Sequence, residues 1–192
     1  MILNYHSTIF LLNGPSGSGK TTLIKSIQKK FRNFYVPVTC TTRKMRNNEK
    51  NGVDYFFLSK EKFESYIENN DLIEYVKNFG EYYGILKSEI DLTKHTNIIL
   101  SMTTDGIKAM KKIYLHNVVS ILLVTNTDTL KKRLMTRKEH AQINIRMQDS
   151  QFSQDISIYD YVISTNQPLF KSVNDLLSIL RAEHLKNHLQ DL

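Results

Sequence analysis

Apolar and amphipathic segments alternate along most of the chain. Short, continuous apolar or β-branched runs predict strands that are covered on both faces, and they lie at Ser7–Leu12, Phe34–Thr39, Asn97–Leu100, Val118–Val124 and Tyr159–Ile163. Apolar positions at helical spacing predict helices over residues 19–31, 104–113 and 127–137, and a closing helix marked by Val173, Leu176, Leu177 and Leu180. The alternation predicts an α/β fold built on a parallel, doubly wound sheet.

The segment between the first predicted strand and the first predicted helix is NGPSGSGKTTL, residues 13–23. It fits the pattern G-x-x-x-x-G-K-[ST], with Gly14, Gly19, Lys20 and Thr21 at the fixed positions. Such a loop turns its backbone N–H groups around phosphate oxygens, and the helix N-terminus adds partial positive charge. We expect Lys20 to reach the β- and γ-phosphates and the Thr21 hydroxyl to bind Mg²⁺. The residues expected to contact the nucleotide are Gly14, Pro15, Ser16, Gly17, Ser18, Gly19, Lys20, Thr21 and Thr22.

Two segments interrupt the alternation, at residues 39–90 and 137–155. In the first, Ser59 is a predicted N-cap of a helix that places Phe63, Tyr66 and Ile67 on one face. Phosphoryl transfer must exclude water, so insertions on such a core are where an acceptor site and a closing lid are expected. A chain of 192 residues suits one domain, which we predict. Its predicted parts are a core of residues 1–38, 91–136 and 156–192, an acceptor-binding insertion at about 39–90 and a short lid at about 137–155.

Composition limits the ligands and the setting. The 192 residues carry 26 Lys and Arg against 19 Asp and Glu, a net charge of +7, which suits phosphate-bearing ligands. No long basic run or nucleic-acid motif occurs, which favours small phosphates and no nucleic acid. The single cysteine, Cys40, excludes an internal disulfide and fits a packing role. No apolar stretch approaches the ~18 residues of a membrane helix, and no secretory signal is evident, so we expect no membrane partner and a cytoplasmic location.

The motifs resemble those of the guanylate kinase family. The phosphate loop GPSGSGKTTL, the segments TCTTRKMRNNEKNGVDYFFLS and LIEYVKNFGEYYG, the looser TLKKRLMTR and INIRM, and the strand YDYVIST all resemble the family's segments. The resemblance spans nearly the whole chain. It implies transfer of the γ-phosphoryl group of ATP to GMP or dGMP with Mg²⁺, in purine nucleotide metabolism, by a monomer or a homodimer.

The resemblance also implies roles for single residues. Two guanidinium groups and a phenol, from Arg43, Arg46 and Tyr55, suit the oxygens of one phosphate dianion, and the family places such residues on the GMP phosphate. Tyr83 resembles the family's second phosphate-binding tyrosine, and Glu74 resembles its guanine-binding carboxylate. The acceptor-binding residues expected from the resemblance are Thr39, Arg43, Arg46, Tyr55, Glu74, Tyr83 and Thr103. The residues expected to act on the transferring group are Lys20, Arg133, Arg137 and Arg146.

The sequence also departs from the family pattern. Ser101 and Thr103 stand where an Asp-x-Asp pair is usual, Ile85 replaces a Ser or Thr that contacts guanine, and Thr165 replaces an asparagine near the donor adenine. The stretch between Arg137 and Arg146 is about two residues short. Weaker base selectivity is therefore expected, with phosphate binding preserved.

Two alternatives belong to other functional classes. A ribose 1,5-bisphosphate phosphokinase shares the fold and the departure from Asp-x-Asp, but it would not require Glu74, Arg46 and Tyr55 together. A non-catalytic guanylate kinase-like module typically has a degraded phosphate loop, whereas this loop is complete.

Overall fold

A five-stranded parallel sheet forms the centre of the molecule. The computed structural model describes residues 7–31, 33–47, 49–78, 80–92, 97–136 and 155–189. In chain order the sheet consists of β1 (Thr8–Asn13), β2 (Phe34–Tyr35), β7 (Asn97–Ser101), β8 (Val118–Val124) and β9 (Tyr161–Ser164). The spatial order is β2-β7-β1-β8-β9, and all neighbours are parallel. The predicted α/β fold with a parallel, doubly wound sheet is confirmed.

Helices cover both faces of this sheet, which explains the continuous apolar strands. Residues Ile9 and Leu11 of β1 pack towards α3 (Thr104–Tyr114), while Phe10 and Leu12 pack towards α1 (Lys20–Lys30) and α5 (Leu169–Leu189). The fourth helix of the core, α4 (Thr127–Thr136), follows β8. Every residue of β1 is buried, because consecutive side chains enter opposite cores.

A second sheet of four strands is built from the predicted insertion. It contains β3 (Cys40–Thr41), β4 (Phe56–Phe57), β5 (Leu72–Asn78) and β6 (Glu81–Leu86), in the order β4-β3-β6-β5. The helix α2 (Lys60–Glu68) packs on one face of it around Phe63, which is fully buried and stacks on Tyr82 with ring centroids 5.1 Å apart. The Ser59 hydroxyl accepts a hydrogen bond from the N–H of Lys62, as its predicted N-cap role requires.

Some predicted boundaries are wrong. The strand predicted over Phe34–Thr39 ends at Tyr35, because Pro37 has no N–H to donate and the N–H of Val38 donates to the carboxylate of Glu89. The β5–β6 hairpin was not predicted from the sequence. Its strands carry polar residues because α2 covers one face and the main core covers only part of the other, at Ile73 and Ile85.

Candidate active site

The phosphate loop lies at the carboxyl end of β1, where open α/β sheets bind their ligands. Gly14 has a φ of +146°, and a Cβ there would lie 2.6 Å from the backbone oxygen of Leu123. A side chain at this position would therefore collide with the neighbouring strand. The N–H of Ser18 donates to the carbonyl oxygen of Pro15 at 3.1 Å, and Gly19 is the N-cap of α1. The loop is thus closed by its own backbone at the start of a helix.

Lys20 folds back over this loop. Its Nζ donates to the carbonyl oxygens of Gly14, at 2.5 Å, and Pro15, at 3.1 Å. Thr21 and Thr22 are exposed in the first turn of α1. The arrangement presents one ammonium group and two hydroxyls beside the helix N-terminus, which is the composition expected for a bound polyphosphate.

Arg133 of α4 contacts the outside of the phosphate loop. Its Nη2 donates to the carbonyl oxygen of Thr165 at 2.7 Å, and its Nη1 lies 3.3 Å from the carbonyl oxygen of Gly17. A cavity of about 290 Å³ opens beside it. The lining residues are Gly17, Ser18, Gly19, Thr22, Leu23, Arg133, Thr165, Gln167, Leu169 and Ser172. Thr165 is part of this wall.

The second sheet brings together three of the predicted phosphate-binding residues. The guanidinium carbon of Arg43 lies 5.5 Å from the ring centroid of Tyr55 and 5.6 Å from that of Phe57, and the rings of Tyr55 and Tyr83 are 6.3 Å apart. Burial raises the pKa of Tyr55, so its phenol stays protonated and can donate to an anion. The exposed Arg46 follows on the same loop, and the half-buried Thr39 precedes β3.

Glu49 holds the guanidinium of Arg43 and was not expected from the sequence. Arg43 Nη2 donates to Glu49 Oε1 at 2.8 Å, and Nη1 donates to Oε2 at 3.0 Å. The N–H of Arg46 donates to the same carboxylate at 2.8 Å. These hydrogen bonds raise the pKa of Arg43 and lower that of Glu49. No periodicity links positions 43 and 49 in a loop, so the pattern gave no signal for this pair.

Glu74 of β5 faces the first turn of α3. Its Oε2 accepts a hydrogen bond from the Thr103 hydroxyl at 2.5 Å, and its Oε1 lies 3.4 Å from the N–H of Thr103. Burial raises the pKa of this carboxyl, partly offset by those hydrogen bonds. A cavity of about 340 Å³ lies beside it. Its lining residues are Tyr66, Ile67, Asn70, Leu72, Ile73, Glu74, Tyr75, Val76, Thr103, Asp105 and Ala109.

Two residues that depart from the predicted family pattern, Ile85 and Ser101, differ in burial. Ile85 is paired with Glu74 in the hairpin register, is 2% exposed and packs in the main core with Ile107 and Met110. Ser101 is exposed at the end of β7, opposite Leu12 of β1. Thus Ile85 contributes to core packing. Arg137 and Arg146 lie outside the described residues.

A phosphate loop after the first strand of a parallel sheet, with a separate arginine–tyrosine cluster on an inserted sheet, places the chain among P-loop phosphotransferases. The family model described as guanylate kinase matches residues 6–183. The guanylate kinases of Mycoplasma genitalium and of Aster yellows witches'-broom phytoplasma are each 35% identical, covering 95% and 97% of this chain and 79% and 91% of those proteins. The chain belongs to the guanylate kinase family.

A solved structure agrees with this assignment. The crystal structure of guanylate kinase from Anaplasma phagocytophilum superposes with a TM-score of 0.68 at 25% identity, covering 96% of this chain and 89% of that one. Among the residues that the structure describes, no helix is both long and apolar enough to span a membrane.

Proposed function

We propose that this protein phosphorylates GMP to GDP, and dGMP to dGDP, at the expense of ATP. The observation that carries the proposal is the complete phosphate loop of a chain that matches the guanylate kinase family over residues 6–183. The family match favours this activity over the ribose 1,5-bisphosphate phosphokinase and the non-catalytic module. A cytoplasmic location accords with the reducing setting that a lone cysteine suits.

The donor nucleotide is assigned to the phosphate loop and the cavity beside it. Backbone N–H groups of residues 14–22, except Pro15, surround the phosphates, and Lys20 moves from the loop carbonyls to the β- and γ-phosphates when they bind. Arg133 lies next to the loop, where its guanidinium can stabilise negative charge on the transferring phosphoryl group. Arg137 and Arg146 complete that role in the proposal.

The residues present fit a magnesium ion that is held mainly by the nucleotide. The Thr21 hydroxyl is exposed at the start of α1, and the described residues contain no group of three or more His, Cys, Asp or Glu that could hold a metal alone. Mg²⁺ usually keeps several waters and binds through few protein groups plus substrate phosphates. When bound, the ion neutralises charge on the transferring phosphates.

The acceptor is assigned to the second sheet. Arg43, Arg46, Tyr55 and Tyr83 hold the GMP phosphate, since a preorganised guanidinium and two phenol hydroxyls can donate to the oxygens of a dianion. Thr39 lies beside this cluster in the sequence. Glu74 accepts hydrogen bonds from the guanine N1–H and the 2-amino group, and Thr103 borders the same cavity. Transfer then depends on positioning and charge stabilisation rather than on a covalent enzyme intermediate.

The test is a coupled assay for ADP formation with each candidate acceptor. The acceptors are GMP, dGMP, AMP, UMP, CMP and ribose 1,5-bisphosphate. We expect the highest kcat/KM with GMP and dGMP. Faster turnover of ribose 1,5-bisphosphate, or no turnover of any acceptor, would overturn the proposal.

A further inference from the structure

The first turn of α3 is built around the carboxylate of Glu74. The Thr103 hydroxyl has one proton, which it donates to Glu74 Oε2, and it accepts a hydrogen bond from the N–H of Gly106 at 3.1 Å as the N-cap of the helix. Its only proton and one of its two lone pairs are therefore used within the protein. The hydroxyl has no second proton that it could donate to the base of the acceptor nucleotide.

Gly106 gives Glu74 the space that it occupies. A Cβ built on Gly106 would lie 2.0 Å from Glu74 Oε2 and 2.3 Å from its Cδ. These distances are far below van der Waals contact, so any side chain at 106 displaces the carboxylate. The obstructing atoms are the mobile end of a side chain rather than backbone, and Gly106 is not among the glycines with positive φ. An alanine at 106 is therefore compatible with the helix but incompatible with the present position of Glu74.

The strand that carries Glu74 also directs it towards this turn. The β5–β6 pairing shifts its register between Leu72 and Glu74, and Glu74 is then paired with Ile85. Ile85 packs against Ile107 and Met110 of α3 in the main core. The second sheet is thus fixed to α3 directly beside the carboxylate, and the carboxylate reaches the helix without crossing solvent.

We propose that Gly106 and Thr103 are positioning residues for acceptor selectivity: the missing side chain at 106 forms a seat for the Glu74 carboxylate, and the Thr103 hydroxyl fixes it there. This inference rests on the proposed role of Glu74 in binding guanine. It adds a positioning role to the expected contact of Thr103 with the base, to which the hydroxyl could offer only its second lone pair. The substitution of Thr for the usual aspartate then leaves the site with one oriented carboxylate rather than two adjacent negative charges.

The first test is Gly106→Ala. We expect the ratio of kcat/KM for GMP over AMP and IMP to fall roughly tenfold or more, because a carboxylate held by charge-assisted hydrogen bonds loses its orientation. The KM for ATP should not change, and the unfolding midpoint should change little, since the helix propensity that alanine gains offsets the hydrogen bonds that Glu74 loses. A role of Gly106 in core packing alone would instead lower the midpoint and leave the ratio unchanged.

The second test separates the Thr103 anchor from its N-cap role. Thr103→Val removes the hydroxyl while keeping the shape, and Thr103→Ser restores the hydroxyl. Ser59→Ala is the matched control, because it removes the N-cap of α2 at a distance from Glu74. We expect Thr103→Val to lower the GMP preference and raise the KM for GMP, Thr103→Ser to restore both, and Ser59→Ala to cost stability without changing the preference.

A double-mutant cycle shows whether both residues act through Glu74. In a Glu74→Ala background, Gly106→Ala and Thr103→Val should cause no further loss of the GMP preference. Calorimetry with GMP and with IMP measures this preference as a difference in binding affinity, without turnover. A full further loss in that background would overturn the inference. One combination of results would refute the seat while the proposed function stands. In it, wild type prefers GMP, Glu74→Ala loses that preference and Gly106→Ala keeps it. If Glu74→Ala keeps the preference, the assigned role of Glu74 fails as well.

Discussion

Arg43 and Glu49 form a two-pronged ion pair, with both Nη atoms of the guanidinium donating to the two carboxylate oxygens at 2.8 and 3.0 Å. Two aromatic rings, from Tyr55 and Phe57, also contact the guanidinium. The side chain of Arg43 is 18% exposed, so the ion pair is partly shielded from water. Its orientation is therefore fixed before an acceptor phosphate binds.

We expect Glu49→Gln to weaken acceptor binding more than turnover. The amide keeps one acceptor oxygen but loses the charge and one hydrogen bond to Arg43, so the KM for GMP should rise roughly tenfold while kcat changes less. Glu64→Gln is the matched control, because Glu64 belongs to an exposed pair with Lys60. An equal or lower KM for GMP in Glu49→Gln would mean that Glu49 competes with the phosphate instead of orienting Arg43.

Lys20→Ala should abolish transfer without unfolding the protein. The ammonium lies in the partly exposed loop, and its charge acts where negative charge concentrates during transfer. We expect kcat to fall on the order of 10²-fold or more, by analogy with the loss of one preorganised donor. Circular dichroism and the unfolding midpoint provide the structural check, and the exposed Lys25 on the same helix provides a control as Lys25→Ala. Near-normal turnover of Lys20→Ala would refute the assigned role.

Base selectivity should be carried mainly by Glu74. Ile85 is buried in the core and the Thr103 hydroxyl is committed to Glu74, so neither donates to a base. We expect GMP to be the best acceptor, AMP or IMP to be used more readily than by a relative with the full family pattern, and Glu74→Gln to erode the preference by roughly the 1 to 3 kcal/mol of an unmet polar group. The measurement is kcat/KM for each acceptor. Strict GMP selectivity in Glu74→Gln would assign base recognition to other residues.

Glu74 should also make the stability of the protein depend on pH. Burial raises its pKa in the folded state above the ordinary 4.5. At pH values between 4.5 and this raised pKa, the folded state binds more protons than the unfolded state. The free energy of unfolding therefore falls as the pH rises through that window. Glu74→Gln should gain stability relative to wild type as the pH rises from 4.5 through the raised pKa of the folded state, measured by urea unfolding at each pH. A stability difference that is the same at every pH would contradict this expectation.

Phe63 should be essential to the second sheet. It is fully buried among α2, β5 and β6, and it stacks on Tyr82. We expect Phe63→Ala to lower the free energy of unfolding by about 3 to 5 kcal/mol, the usual cost of removing a buried phenyl ring. Phe170→Ala is the control, because Phe170 is 62% exposed. A loss below about 1 kcal/mol in Phe63→Ala would show that the small core around α2 collapses to fill the space.

The sequence by itself determined the parallel core and the phosphate loop. Continuous apolar runs mark strands covered on both faces, and the run Val118–Val124 has the same bounds as β8 because the pattern is local. The motif at residues 14–21 likewise needs only a strand before it and a helix after it. The predicted helices at 104–113 and 127–137 agree with α3 and α4 within a residue or so for the same reason.

Only the tertiary structure decided which side chains meet. Arg43 and Glu49 are joined by a loop with no repeating geometry, and Glu74 and Thr103 are 29 positions apart on different elements. The seat at Gly106 exists because the β5–β6 hairpin packs beside α3, and a glycine in a helix gives no sign of what occupies its missing side chain. Contacts of this kind depend on how separate elements pack, whereas a hydrophobic pattern records only which face of each element is buried.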